Sequence, residues 1–286
     1  MTVEIGDVTI HVRDTGIGEP VLLLHGWPDT GDLWAHQCAS LAAAGYRAIA
    51  PDLRGFGDSD KPADVAAYAA PNQVGDVVGL LDALGIARAH LVGHDWGAAI
   101  AWMTAALVPD RVASLTALSV GHPAAFATVS GYRQRELSWY MLLFQFPGVA
   151  EQWLSADDFR NFREWSRHPR ADAVVARLAQ PGALSASLGI YRAILPPESL
   201  IVPRPELPPV TVPAMGVWSS GEFALAEEGM VNSAKYVTGP WRYERIEGAG
   251  HWMSLDAPET LDAILLDFLG EHRMVGKPTA TGPQPD

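Results

Sequence analysis

Short apolar runs alternate with segments of helical spacing through the first part of this chain. The apolar runs are residues 21–24, 48–50, 89–92 and 114–118. The segments with helical spacing are residues 33–44, 74–84 and 98–107. Gly45 and Gly85 follow two of these segments, at the position of a C-terminal glycine cap. Because short buried strands that alternate with helices build parallel sheets, we predict an α/β protein with a mostly parallel, doubly wound sheet.

The alternation is interrupted once, from residue 123 to about residue 195. This stretch contains helical segments rich in Trp, Tyr, Phe and Arg, and a proline-rich run follows it. Strand and helix signals return at residues 214–218, 243–246 and 259–269. We therefore expect a helical cap inserted into a split core. The predicted parts are a core at residues 1–122, a cap at 123–205, the core again at 206–275 and a disordered tail at 276–286.

The charge and the cysteine content limit the partners and the compartment. A formal net charge of −13 argues against nucleic acid or an anionic membrane, since either would attract a basic surface. A single cysteine, Cys38, excludes an internal disulfide framework and fits a reducing cytoplasm. The first ten residues lack the features of a signal peptide, and no stretch is apolar enough to span a bilayer. We expect a soluble cytoplasmic protein whose oligomeric state stays open, a homodimer included.

Residues 91–99, LVGHDWGAA, have the Gly-x-nucleophile-x-Gly spacing of a sharp strand-to-helix turn. Asp95 occupies the position at which many hydrolases carry serine. Gly93 and Gly97 would allow the tight turn and the close helix packing that lift this side chain into a cleft. The alternative is that Asp95 only caps a helix that begins near Ala98. A capping aspartate does not need glycine on both sides, so we favour Asp95 as a nucleophile.

His251 and Glu222 complete the chain order nucleophile, acid, histidine. His251 lies in GAGHW at residues 248–252, a short loop after the last predicted strand, where this order expects a base. Glu222 follows the strand at residues 214–218 and is predicted to accept a hydrogen bond from the histidine. Glu227 and Glu228 are less well placed, because they lie in a predicted helix. A structural histidine is the alternative for His251, but the glycine-flanked loop favours a base.

An oxyanion hole in such a site needs two backbone N–H donors. One belongs to the residue after the nucleophile and the other to the loop after the strand at residues 21–24. The candidates are Trp96 and Trp27. The sequence shows no cluster of His and Cys at metal-ligand spacing and no Gly-rich phosphate loop, so no metal and no cofactor are expected.

Four motifs together resemble the α/β-hydrolase-fold epoxide hydrolases over nearly the whole chain. They are HGWPDT at residues 25–30, DLRGFGDSDKP at 52–62, GHDWGAAIAW at 93–102 and GAGHW at 248–252. The resemblance implies an α/β-hydrolase fold with an eight-stranded sheet, an inserted helical cap and a cis bond between Trp27 and Pro28. The family usually carries aspartate where this chain has Glu222. The added methylene predicts either a loop that is set back or a looser contact with the histidine.

Two segments of the predicted cap resemble the family's lid segments. Residues 138–154 match the first segment and residues 189–195 match the second. The match puts Tyr140 and Tyr191 at the positions of the two ring-opening tyrosines. Without the resemblance, ordinary packing of the cap would be the simpler interpretation of both side chains.

The resemblance implies an epoxide hydrolase that forms a vicinal diol through a hydroxyalkyl ester on Asp95. An ester is useful here because water can cleave it, whereas the ether that a serine would form resists hydrolysis. The many tryptophans predict an apolar pocket and a hydrophobic epoxide. One alternative is a haloalkane dehalogenase with the same nucleophile, in which Trp96 would hold the halide. A non-catalytic small-molecule receptor on the same fold is the other.

Overall fold

The computed structural model describes residues 1–128, 132–200 and 206–274. One sheet of eight strands organises these residues. The strands are β1 (Thr2–Ile5), β2 (Val8–Thr15), β3 (Glu19–Leu24), β4 (Tyr46–Pro51), β5 (Ala89–His94), β6 (Val112–Leu118), β7 (Ala214–Gly221) and β8 (Trp241–Gly250). The predicted disordered tail at residues 276–286 lies outside the described residues.

The sheet is mostly parallel, as predicted. Its strand order is β1-β2-β4-β3-β5-β6-β7-β8. β1 pairs antiparallel with β2 in the predicted hairpin, and β2 pairs antiparallel with β4. The other neighbouring pairs are parallel. The carboxyl ends of β3, β5, β6, β7 and β8 therefore meet at one edge, where open α/β sheets carry their functional groups.

Helices cover both faces of the sheet. The helices of the core are α1 (Ala35–Ala43), α2 (Ala70–Ala83), α3 (Trp96–Leu107), α10 (Glu227–Val231), α11 (Met253–Asp256) and α12 (Pro258–Glu271). Alternate residues of β3 point to opposite faces: Leu22 and Leu24 join one buried cluster with α2 and α3, and Val21 and Leu23 join another with α1 and α12. Two hydrophobic cores on one central sheet make the fold doubly wound.

Among the described residues, six α-helices lie between β6 and β7, in the stretch predicted to form a cap. They are α4 (Pro123–Thr128), α5 (Tyr132–Leu137), α6 (Trp139–Leu143), α7 (Val149–Ser166), α8 (Ala171–Leu178) and α9 (Ala183–Ile194). α7 is kinked at Ala156, where the backbone leaves helical geometry. None of the helices in the described ranges is both long and apolar enough to cross a membrane.

Several predicted boundaries differ from those in the structure, and one of them adjoins the candidate nucleophile. The helix expected near Ala98 begins at Trp96, directly after Asp95. Asp95 has a φ of 52° and a ψ of −120°, which lies outside both strand and helix geometry. The change of direction is therefore compressed into a single residue between β5 and α3, and the helix starts two residues earlier than predicted.

Candidate active site

The strand-to-helix turn at Asp95 depends on its two glycines. A Cβ atom on Gly97 would collide with the carbonyl group of Leu24, and a Cβ on Gly93 would collide with the backbone of Gly97. Because neither contact can relax without moving backbone, both positions require glycine. A positive φ at a non-glycine residue is strained, and the packing around the turn holds Asp95 in this conformation, which places its side chain at the carboxyl edge of the sheet.

The two carboxylate oxygens of Asp95 have different partners. Oδ1 accepts the backbone N–H of Trp27 at 2.8 Å, and Oδ2 lies 3.9 Å from Nε2 of His251. Burial raises the pKa of Asp95 to about 6, although His251 and the backbone N–H groups of Trp96 and Trp27 oppose the rise. Both predicted oxyanion donors therefore face this carboxylate, and Oδ2 is the oxygen that faces His251. The bond between Trp27 and Pro28 is cis, as the resemblance implied.

His251 and Glu222 form a close pair beside Asp95. Nδ1 of His251 lies 2.6 Å from Oε2 of Glu222, so the longer acid reaches the histidine without loosening the contact. Oε1 of Glu222 accepts the backbone N–H of Ala224 at 2.8 Å, which fixes the other end of the carboxylate. Burial alone would lower the pKa of His251, but Glu222 and Asp95 raise it to about 9. Burial opposes the charged form of Glu222 as well, yet His251 holds the pKa of Glu222 below its usual value.

Tyr140 on α6 and Tyr191 on α9 lie over Asp95 and are almost fully buried. Their ring centroids are 6.2 Å apart, and the ring of Trp96 lies 5.0 Å from that of Tyr191. Burial raises the pKa of Tyr140 well above its ordinary value, and the charge of Asp95 adds to the rise. Burial, Tyr140 and Asp95 do the same to the pKa of Tyr191. Both phenols therefore stay protonated and can act as hydrogen-bond donors next to the carboxylate.

Asp95 borders two cavities. One has a volume of about 630 Å³, part of it open to solvent, and is lined by apolar side chains of α3, α4, α6 and α9 and by Leu225. The second has a volume of about 270 Å³, and Tyr140, Tyr191 and His251 line it together with aromatic residues. The side chains of Asp95, Tyr140, Tyr191 and His251 thus meet in the smaller cavity, with Asp95 at its junction with the larger one.

Sequence reasoning missed Asp29, which joins three parts of the site. Its buried carboxylate accepts the indole N–H of Trp252 at 2.8 Å and Nε2 of His168 at 3.1 Å. Nδ1 of His168 accepts the backbone N–H of Arg170, so the proton of this histidine lies on Nε2. Asp29 therefore ties the loop that carries Trp27 to the loop that carries His251 and to the helical insertion. The only signal for Asp29 was its place in the motif HGWPDT.

The side chains of His94 and Ser119 both hydrogen-bond the backbone carbonyl group of His251. Nε2 of His94 donates to the carbonyl oxygen of His251 at 2.9 Å, and Oγ of Ser119 donates to the same oxygen at 3.3 Å. Burial lowers the pKa of His94 to about 3, with His251 as the second cause. His94 is therefore uncharged, and it positions the base without adding a second positive charge.

One group of side chains in the described ranges has the spacing of metal ligands, and it consists of His11, Asp52 and Asp58. The oxygens of Asp52 accept hydrogen bonds from Arg13 and from the backbone N–H groups of Gly31 and Asp58. These bonds account for Asp52 as a buried structural carboxylate. The group shares no residue with the site around Asp95.

Comparisons with known proteins agree with this geometry. The profile of the α/β hydrolase fold family matches residues 19–258. Epoxide hydrolase 3 of Siraitia grosvenorii is 42% identical over 204 residues. This match covers 70% of this chain and 62% of that relative, which is less than two thirds of its length. Epoxide hydrolase A of Mycobacterium tuberculosis (strain ATCC 25618 / H37Rv) is 32% identical over 306 residues, which cover 91% of this chain and 94% of the relative.

A solved structure extends the similarity to three dimensions. The crystal structure of Bacillus megaterium epoxide hydrolase in complex with an inhibitor superimposes with a TM-score of 0.86 at 26% sequence identity, and the match covers 94% of this chain and 100% of that one. The sequence comparison and the structural comparison thus both match this chain to epoxide hydrolases over almost its full length. This chain belongs to the α/β-hydrolase-fold family and, within that family, to the epoxide hydrolases.

Proposed function

We propose that this protein hydrolyses a hydrophobic epoxide to a vicinal diol through a covalent ester on Asp95. The observation that carries the proposal is the convergence of three functions in one small cavity. These are a carboxylate with one oxygen that faces the histidine, two protonated phenols above it, and a histidine bonded to a buried acid. Epoxide opening needs a nucleophile and a proton donor, and ester hydrolysis needs a base.

In the first step, Oδ2 of Asp95 attacks one carbon of the epoxide, and the bond between that carbon and the ring oxygen breaks. The electron pair of the broken bond stays on the ring oxygen, which takes a proton from Tyr140 or Tyr191. The support is that burial and the charge of Asp95 keep both phenols protonated until the alkoxide forms. The product of this step is a hydroxyalkyl ester.

In the second step, His251 removes a proton from water, and the resulting hydroxide attacks the carboxyl carbon of Asp95. The N–H groups of Trp27 and Trp96 stabilise the oxyanion of the tetrahedral intermediate, and Glu222 keeps the histidine in the required tautomer. The bond between this carbon and Oδ2 then breaks. Oδ2 therefore leaves with the diol, and the two protons of the water restore the tyrosine and complete the second hydroxyl group.

The haloalkane dehalogenase alternative has one feature in its favour, the indole of Trp96 beside the nucleophile. The indole of Trp96, however, packs edge-on against the ring of Tyr191 at 5.0 Å, and its interaction with this phenol only partly offsets the rise in the pKa of Tyr191 that burial causes. A donor engaged with a tyrosine is less available to a departing halide. A halide also leaves without a proton, so the tyrosine pair would have no task. The location proposed for the enzyme is the cytoplasm, which the single cysteine supports.

Product analysis separates the two activities. The purified protein should convert a phenyl-substituted epoxide to its diol and release no chloride from the chloroalkane of matched size. A single turnover in water labelled with ¹⁸O should leave the label in the peptide that contains Asp95 and not in the first diol released, because Oδ2 leaves with the product. Chloride release without diol formation would assign the protein to the dehalogenases.

The two steps should respond differently to pH. The pKa of Asp95 is about 6, so the rate of ester formation should fall about tenfold for each pH unit below this value, as the nucleophile becomes protonated. Ester formation removes the charge of Asp95, which is one of the causes that raise the pKa of His251 to about 9. The rate of ester hydrolysis should therefore rise with pH to a plateau with an apparent pKa below 9. Rapid-quench measurement of both steps between pH 4 and 10 tests this, and ester formation that stays constant down to pH 4 would contradict it.

A further inference from the structure

The larger cavity beside Asp95 offers more room than the smaller one. Its volume of about 630 Å³, which includes space open to solvent, is more than twice the 270 Å³ of the smaller cavity. The wall is apolar, with contributions from Met103 of α3, Phe126 of α4, Met141 of α6 and Leu225. An apolar substituent gains free energy by leaving water for this wall, whereas a charged group would lose its hydration.

The smaller cavity leaves little room for a substituent of the epoxide. At about 270 Å³ it has less than half the volume of the larger cavity, and under the proposed function it holds the epoxide oxygen beneath Tyr140 and Tyr191 as well as the water that His251 activates. The space that remains is bounded by bulky aromatic side chains, Trp165 and Phe223 among them. A large substituent on the ring carbon that faces this cavity would compete with the water for the same volume.

The aromatic wall is held in place by its contacts. Trp165 packs on Tyr140 with ring centroids 4.5 Å apart and on Phe223 at 6.2 Å. Phe223 packs in turn on Trp252 at 6.1 Å, and the indole N–H of Trp252 is fixed by Asp29. A ring that swings away to admit a substituent would break several of these contacts, so the wall resists expansion.

We infer that the preferred substrates are epoxides with one large apolar substituent on one ring carbon and only hydrogen on the other. The inference rests on the proposed function and adds the substitution pattern to it. The ring oxygen and the water both belong to the smaller cavity, and Asp95 lies at the junction of the two. A single substituent can occupy the larger cavity, while the second carbon lies against Trp165 and Phe223.

A series of three epoxides tests the inference. All carry phenyl on one carbon, and the other carbon carries hydrogen, a trans methyl group or a trans phenyl group. We expect kcat/KM for diol formation to fall along this series, by on the order of 100-fold between hydrogen and phenyl. Equal kcat/KM values for the first and last members would overturn the inference. Absence of diol from every member would instead contradict the proposed function.

Two variants test whether the aromatic wall of the smaller cavity excludes the second phenyl group. Trp165→Ala should raise the ratio of kcat/KM for the diphenyl epoxide to that for the monophenyl epoxide by at least about tenfold, since it opens the smaller cavity. Trp153→Ala is the matched control: Trp153 lies on the same helix, packs on Trp139 and lines neither cavity. Phe223→Ala provides the same test from the opposite side should Trp165→Ala fail to fold. A ratio that neither Trp165→Ala nor Phe223→Ala raises would overturn the inference.

Discussion

Replacement of His251 by glutamine is expected to lower kcat by about 1,000-fold or more and to leave the covalent ester as the main form of the protein. Glutamine cannot take a proton from water, so the second step loses its base. The first step uses Oδ2 of Asp95 and the tyrosines, and none of these is removed. The mass of the intact protein should therefore increase by the mass of the whole epoxide, and the added mass should map to the peptide that contains Asp95.

The conditions for this experiment follow from the charges in the site. His251 lowers the pKa of Asp95, so its loss moves that pKa upward from about 6. The incubation belongs at about pH 8, where the carboxylate stays ionised. His36→Gln is the control, because His36 is a partly exposed histidine on α1 and contacts Asp262. It should turn over without accumulating an adduct.

Two results would contradict the covalent mechanism. The double variant Asp95→Asn, His251→Gln should form no adduct, so an adduct in that protein would place the nucleophile elsewhere. An adduct on His251→Gln that forms only from haloalkanes, with loss of the halogen, would move the protein to the dehalogenases. His251→Gln is expected to block ester hydrolysis and to spare ester formation. A mechanism in which water attacks the epoxide in a single step would leave no ester to accumulate.

The positions of the proposed nucleophile, base and acid could be predicted because local sequence determines where each of these side chains lies. Two glycines that cannot carry a Cβ atom flank Asp95, and His251 follows the last strand on a short loop. Glu222 was the least certain of the three, since the family usually has aspartate there. Its carboxylate nevertheless reaches His251 at 2.6 Å, and the second oxygen takes the backbone N–H of Ala224. The position of a loop relative to a strand end decides such a contact, and the residue type alone does not.

Contacts between distant segments could not be read from the sequence. Asp29 and His168 are 139 residues apart and meet only because the helical insertion folds back over the sheet. No local periodicity encodes that meeting. Tyr140 and Tyr191 came from the resemblance to a family, since their own helices would carry aromatic residues for packing alone. The unequal volumes of the two cavities likewise depend on side chains from many elements and emerge only in three dimensions.

The second large effect is expected at the tyrosine pair. Phenylalanine at both positions 140 and 191 keeps the rings and removes the two donors, so the ring oxygen must leave as an unprotonated alkoxide. A positioned general acid contributes about 100- to 10,000-fold, and loss of both hydroxyl groups should slow ester formation by an amount in this range. The single variants Tyr140→Phe and Tyr191→Phe should lose less, because the remaining phenol can still donate.

The step that is slowed distinguishes a proton donor from a packing residue. The rate of adduct formation, measured by mass in the His251→Gln background, should fall in the double phenylalanine variant, with the melting temperature close to that of the parent protein. Tyr132→Phe is the matched control: Tyr132 lies on α5 with 82% of its surface exposed, and its substitution should leave the rate unchanged. Adduct formation at the parental rate without either hydroxyl group would mean that Tyr140 and Tyr191 only pack. It would also remove the argument that the tyrosine pair provides against a halide as the leaving group, because this pair is what matches the site to an oxygen that needs a proton.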